Sequence, residues 1–465
     1  HCSRSRSITS GDGCRRPHLR VELAMSDELK RTLTAKDVAV ITMGTIIGSG
    51  IFLTPGGVMA NSGGYVGMAI GVWIVGGILT LLGALTYAEL GCTRTGTGGL
   101  YAYIRDAFGP VWAFMYGWTL FVVIASGSLA ALAVATGDNM AALFPGLSGV
   151  GKKVVALVVL GTLAFLNLRG TKQSATVLTV ATAAKALALV FLIVALPLFG
   201  TGLSEVTEAM PPSWNATLLS GGLLAMISVL WAYEGWQYAT FIGGEVKDPQ
   251  RNFPRGLVFG TLAIIVIYVL TNVGYVAGLG PTKLSLSTTV ASDAVGNTFG
   301  PTAARLIAIP VLISIISAAH AIILTASRVF YAMAKDGIFF KKLGEVHPQF
   351  GTPANSIIAI AGWGAVLAMS GTFGILLTYV VFIGWIFYGL GGLSVIVFRR
   401  REPDAPRPFK VPFYPITPIL FVLSAAVIVL NTVYNNPLQG VIGLGGVMLG
   451  LPVYLWWRRS NSVAR

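Results

Sequence analysis

From Val38 to Gly83 the chain carries no charged residue. A helical crossing of a bilayer takes roughly 20 apolar residues, so this run is long enough for two crossings and fits no soluble domain. Apolar stretches with few or no charges recur down to the C-terminus. They give about twelve segments, near 38–61, 65–88, 110–136, 154–168, 174–200, 215–243, 256–279, 302–332, 354–370, 373–398, 413–434 and 438–457. Only 11% of the 465 residues are charged and 54% are hydrophobic, against about 25% charged in soluble domains. Alternation with period two is not sustained, which argues against a transmembrane β-barrel. The expected class is an all-α membrane protein with twelve transmembrane helices.

The formal net charge is +14, which in a soluble chain would suggest nucleic acid. Its placement points elsewhere. Lys and Arg concentrate on the side of the N-terminus. The opposite side carries only Lys152, Lys153, Lys283 and Arg305, and Lys185 lies within a span. This positive-inside bias predicts both termini in the cytoplasm and a cell (inner) membrane location, with the lipid bilayer and not nucleic acid as partner. The three cysteines, Cys2, Cys14 and Cys92, build no disulfide framework. Residues 1–24 are rich in Arg and Ser, and Met25 looks like a more natural start. They are expected to be upstream sequence or a disordered tail. No signal-peptide pattern is present, so the first helix is expected to direct insertion. Among the polar loops, 280–300 is predicted to hold a short helix. Glu89, at the end of the second segment, is expected to pair with a basic loop residue.

Inside the first segment stands Thr45–Pro55, TIIGSGIFLTP. Glycines flank a serine where a helix should be continuous. The sixth segment has a similar break, SVLWAYEGWQY over 228–238. Non-helical backbone at membrane depth survives only where it lines a cavity or is buried in protein. Paired breaks in corresponding positions of two halves point to a transporter's midplane site. The breaks are five helices apart, an odd number, so the second half would be inverted. A half-helix starting at Gly50 offers N–H groups and a positive dipole end to a carboxylate. Carbonyls at Ile46 and Ile47 suit an ammonium. Together they suit a small α-amino acid. Gly48 and Gly50 taken alone also fit simple close packing of helices; the second break favours the site.

TIIGSGIF, then WAYEGWQ and GEVKDPQRNFPRGL, then SRVFYAMAKDG and VHPQFGTP, resemble the amino acid–polyamine–organocation superfamily. The branch most resembled is that of the L-type amino acid transporters and their bacterial relatives. The resemblance runs from Leu33 to Arg459. It implies a LeuT-like fold of five plus five helices, with the first repeat at 35–204, an inverted second repeat at 209–401, helices 11 and 12 at 412–458, and tails at 1–34 and 459–465. It also implies alternating access around an L-amino acid. By that resemblance the substrate carboxylate meets Gly48, Ser49, Gly50 and Ile51. The amino group meets carbonyls of Ile46, Ile47, Trp231, Ala232 and Glu234. Trp231 is the aromatic gate, and Gln237 stands where many relatives have asparagine. The loop 144–151 lacks the cysteine through which animal members join a glycoprotein, so no disulfide-linked heavy chain is expected.

Two charges are expected well inside the spans, Lys185 and Glu234. Such a charge costs about 2.5–3.5 kcal/mol at mid-bilayer and normally has a partner. Lys185 stands 13 residues after Lys172, roughly 20 Å deep at about 1.5 Å per residue, too far to snorkel comfortably. The resemblance places it where sodium-coupled relatives hold a sodium ion, as a fixed cation tying helix 5 to the helix 1 break and helix 8. Sodium dependence is then not expected. Glu234 fits two roles: a carboxylate holding the break together, or recognition of a cationic side chain. His320 replaces the family's usual asparagine. It is either a hydrogen-bonded core histidine or a proton-coupling group. The function expected is a sodium-independent exchanger of neutral and possibly cationic L-amino acids, with a proton-coupled symporter as the rival. A membrane-embedded enzyme is the remote rival, since no metal-binding run, nucleophile elbow or carboxylate pair appears in the spans. No cofactor or metal is expected.

Overall fold

The computed structural model describes residues 31–462, except 97 and 145. Residues 1–24, with Cys2 and Cys14, lie outside the described residues. Among the described residues, eleven helices are long and apolar enough to cross a membrane, and Ala354–Ser370 is a shorter apolar helix of 17 residues. Numbered by span, α1 comprises Ala35–Ile46, Gly50–Leu53 and Pro55–Asn61. Next come α2 (Val66–Thr93) and α3 (Pro110–Thr119, a π-helical turn Leu120–Ile124, and Ala125–Leu143). They are followed by α4 (Gly149–Leu168), α5 (Thr171–Phe199) and α6 (Ala216–Ala232, continued by the 3₁₀ segment Trp236–Glu245). The remainder are α7 (Pro249–Leu286), α8 (Pro301–Lys335), α9 (Ala354–Ser370), α10 (Phe373–Arg401), α11 (Ile416–Asn435) and α12 (Pro437–Met448 with Gly450–Ser462).

Local chemistry sets the ends. Thr34 and Asp37 form a capping box at the start of α1, satisfying N–H groups that helix geometry leaves open. Asp248 takes a left-handed conformation (φ 41°) and Pro249 follows at the first helical position, where a missing N–H costs nothing. Much of the polar run 245–255, between the sixth and seventh apolar segments, is therefore the first turns of α7. Gly280 (φ 72°) bends α7 near its end, and the loop beyond it holds the expected short helix, Val290–Phe299. Within the spans, Thr42, Thr80, Ser128 and Thr136 donate to the carbonyl four residues earlier. That satisfies hydroxyls where no bulk water reaches.

Helix neighbours repeat under an exchange of each helix with the one five later. The pair α1–α7 matches α6–α2, α3–α9 matches α8–α4, α3–α10 matches α8–α5, and α1–α5 matches α6–α10. Helices α11 and α12 pack against this frame from outside the exchange. The buried charges go beyond the two expected. Glu89 on α2 binds Arg399 through both oxygens (2.8 and 2.6 Å), accepts from the Val411 N–H (2.7 Å) and lies 3.6 Å from Arg407. The loop after α10 is thereby fastened to α2. Arg328 on α8 is fully buried and pairs with Glu245 at 3.4 Å. Because α8 runs on to Lys335, Arg328 sits two turns inside the helix and not at its edge.

Candidate functional site

The break in α1 follows from its sequence. Residues 47–49 leave the helical path: Ile47 is extended (φ −69°, ψ 90°), and helix resumes at Gly50 and continues through Thr54, whose backbone stays helical. Pro55 brings no N–H to donate back to Ile51. The N–H groups of Gly48, Ser49, Gly50 and Ile51 have no acceptor among the described residues. Gly50 is required sterically. A Cβ there would lie 2.6 Å from the Ala232 Cβ and closer still to its Cα. Gly48 has more room, with the Ala318 Cβ at 3.3 Å.

The break in α6 falls at Tyr233–Gly235. Gly235 has φ 124°, and a Cβ on it would meet the Thr45 carbonyl oxygen at 2.6 Å. Only glycine serves there, for conformation and for space. The Thr45 hydroxyl reaches the Gly235 carbonyl at 3.0 Å, so the two breaks touch directly. Beyond Gly235 the chain runs for ten residues as 3₁₀ helix, a length that marks strain or a hinge.

Between the breaks lies a cavity of about 30 Å³, lined by Thr45, Ile46, Gly48, Ser49 and Gly50 of α1, Trp231, Glu234 and Tyr238 of α6, Ser128 and Leu132 of α3, and Ala318 and Ile322 of α8. That is room for about two waters, so the site is narrow in this conformation. The Trp231 indole N–H donates to the Ser49 hydroxyl at 3.3 Å, joining the two breaks over the cavity. Among the expected site residues, Ile46, Gly48, Ser49, Gly50, Trp231 and Glu234 line the cavity; Ile47, Ile51, Ala232 and Gln237 do not.

Each of those four has another task. The Ile47 carbonyl accepts from the Lys185 ammonium (2.6 Å), and the Ser314 hydroxyl lies between it (3.3 Å) and the Gly48 carbonyl (3.1 Å). Ile51 is fully buried in the core. Ala232 is the surface against which Gly50 packs. The Gln237 amide accepts from the Gly235 N–H (3.2 Å) and donates to Glu234 and to the Tyr388 hydroxyl, holding the break in shape. The Ile46 carbonyl accepts from the Tyr268 hydroxyl at 3.0 Å.

Lys185 is fully buried and donates to the Gly44 carbonyl (2.7 Å), the Ile47 carbonyl and the Ser317 hydroxyl (3.1 Å). Its three protons have three acceptors, on α1 and α8. Glu234 accepts from Tyr388 (2.5 Å) and Gln237 on one oxygen. No described group bonds its second oxygen, and the residue borders the cavity. His320 lies away from the cavity. Its ring meets the Asn167 amide (3.0 Å) and the Ser174 carbonyl (3.2 Å), linking α8 to α4 and to the start of α5.

Thr45, Ser128, Leu132, Tyr238, Ala318 and Ile322 were not foreseen. Tyr238 stands one turn after Glu234 in the recognised motif, which is a usable signal. Its buried hydroxyl makes no hydrogen bond among the described residues, although Ser128 is beside it. Nothing in the local sequence marks Ser128 and Leu132, or Ala318 and Ile322, as cavity-facing.

Beneath the site, on the side of the N-terminus, the chain before α1 pairs with the chain after α6. The N–H groups of Thr32 and Leu33 donate to the Glu245 carbonyl (2.8 and 2.9 Å), and that of Lys247 donates to the Leu33 carbonyl (2.7 Å). Arg328 holds the Glu245 side chain from α8. Nearby, Asp336 accepts from the Tyr101 hydroxyl (2.7 Å) and from Arg105. Burial, and then the bond to Asp336, holds the Tyr101 phenol well above its ordinary pKa.

The amino acid permease family model matches residues 33–449. The chain is 32% identical over 439 residues to the serine/threonine exchanger SteT of Bacillus subtilis, covering 93% of this chain and 98% of that protein. It is 33% identical over 432 residues to the mouse b(0,+)-type amino acid transporter 1, covering 89% and 85%. It is 30% identical over 438 residues to the human cystine/glutamate transporter, covering 92% and 85%. With broken helices facing one another across a narrow cavity, and similarity along almost the whole chain, this protein belongs to the amino acid permease family.

Proposed function

We propose that this protein is a secondary transporter that exchanges L-amino acids across a membrane by alternating access, without sodium. One observation carries the reading: two helix breaks meet around a narrow cavity and present a row of unpaired N–H groups beside a carboxylate. The N–H groups of Gly48, Ser49 and Gly50 receive the substrate carboxylate. Glu234 faces the amino end or a cationic side chain. The names of the relatives support exchange, since one is a serine/threonine exchanger and another a cystine/glutamate transporter. Lys185 acts as a resident cation, fixing the end of the first part of α1 to α8. The distribution of Lys and Arg supports cytoplasmic termini and an inner-membrane location. No disulfide-linked partner is proposed, because residues 144–151 include no cysteine.

The test is uptake of labelled amino acids into proteoliposomes. Exchange requires that uptake depend on unlabelled amino acid inside and be indifferent to sodium. Uphill uptake driven by a pH gradient into empty vesicles would replace exchange with proton symport. A sodium requirement would overturn the role of Lys185. Chemical conversion of substrate without translocation would reject transport.

A further inference from the structure

A second cavity, of about 760 Å³, opens between α1 and α7 on the side of the N-terminus. Small residues create it. Gly256 and Gly260 of α7 bring that helix against α1 so closely that a Cβ on Gly256 would lie 2.6 Å from the Ala35 carbonyl oxygen. The crossing leaves a wedge beside it, walled by Ala39, Val40 and Met43 of α1 and Phe259 and Leu262 of α7, with Phe409 at one end. Phe259 and Leu262 are 66% and 43% exposed, on helices that cross the membrane. The wedge therefore faces hydrocarbon. At its mouth stand Lys36 and Arg255. Both are exposed, and neither pairs with a carboxylate among the described residues. Phe409 is held by the loop that Glu89 fastens to α2, so that end of the groove is built.

From this geometry we infer that the groove between α1 and α7 binds an anionic phospholipid, with its phosphate on Lys36 and Arg255 and an acyl chain along the apolar walls. The volume falls within the roughly 300–1,000 Å³ usual for ligand sites. Only an amphiphile presents a phosphate and a hydrocarbon chain together at this depth. Basic pockets between helices on the cytoplasmic side attract anionic headgroups. The lipid would brace the first part of α1, whose far end carries the carbonyls held by Lys185. This inference concerns binding and stands whether or not the exchange reading holds.

The test is native mass spectrometry of the detergent-purified protein titrated with phosphatidylglycerol or phosphatidylcholine. The native chain should retain phosphatidylglycerol in preference. Lys36→Gln with Arg255→Gln should reduce that retention roughly 10- to 30-fold, from two basic residues near a lipid surface. Lys36→Gln alone should give part of this loss, which serves if the double variant is poorly folded. Lys153→Gln with Arg305→Gln, on the other side, should leave retention unchanged. Excess inorganic phosphate should not displace the lipid, since the chain contributes to binding. Equal retention of the two lipids, full retention by the double variant, or displacement by phosphate would each overturn the inference.

Discussion

Glu234 meets two hydrogen-bond donors on one oxygen, no described group bonds the other, and the residue borders the cavity. It can therefore hold the α6 break and still receive a cationic group. A charge-assisted hydrogen bond is worth about 1.5–3 kcal/mol, roughly a 10- to 150-fold preference. Glu234→Gln should weaken competition by arginine by about that factor and competition by leucine much less, measured against labelled leucine uptake. Equal weakening would leave Glu234 a purely structural role. The two glycines of the α1 break should differ. Gly50→Ala presses a Cβ into Ala232 and should cost about 1–3 kcal/mol, as overpacking does, seen as a lowered Tm in detergent. Gly48→Ala meets the Ala318 Cβ at 3.3 Å, which a shift of a few tenths of an ångström relieves, and should fold, with its larger loss in substrate affinity. A Gly50→Ala variant as stable as the native chain would show that α6 yields at Ala232.

At the scale of the helices, Lys185 and Glu89 are two different fasteners. Lys185 ties α5 to α1 and α8 through three hydrogen bonds and touches nothing in the cavity. Lys185→Met should keep amino acid binding within a few-fold by thermal shift while lowering exchange at least about tenfold, because elements that move against each other lose their tie. Binding and exchange falling in parallel would place the ammonium with the substrate instead. Glu89 clamps the loop after α10 through Arg399, Arg407 and the Val411 N–H. Breaking a buried pair costs about 3–5 kcal/mol. Arg399 is partly exposed, so Glu89→Gln should cost nearer 2–3 kcal/mol after screening. Faster proteolysis within residues 401–411 would report it, and unchanged cleavage would show that the loop holds itself.

For the whole molecule, access to the narrow cavity from either side requires contacts on that side to come apart. On the side of the N-terminus the contacts to break are specific: the pairing of Thr32 and Leu33 with Glu245 and Lys247, and the Arg328–Glu245 pair. Glu245→Gln keeps the shape but weakens the hold of α8. It should raise the rate at which a Ser49→Cys probe, with the native cysteines replaced, is labelled by a membrane-impermeant thiol reagent from that side. Slower or unchanged labelling would mean that this contact does not gate access.

Hydropathy and charge placement determined the membrane class and the twelve spans, and glycines and polar residues inside two of the spans marked both breaks. Each of these is a property of local composition against a solvent of known thickness. The glycines at 48, 50 and 235 and the lone charges at 185 and 234 were visible for the same reason: each is costly in lipid and stands out from its neighbours. Which groups face the cavity was not legible in that way. Ile47 and Gln237 sit within the motifs, yet their polar groups are taken by Lys185, Ser314, Glu234 and Tyr388 from distant parts of the chain. Ser128, Leu132, Ala318 and Ile322 are ordinary membrane residues that become cavity walls only because α3 and α8 pack across the breaks. The burial of Arg328 likewise depends on Glu245, brought within reach where the 3₁₀ end of α6 packs against α8. A polar group's role here depends on which partner reaches it first, and that is decided by helix packing between residues far apart in sequence.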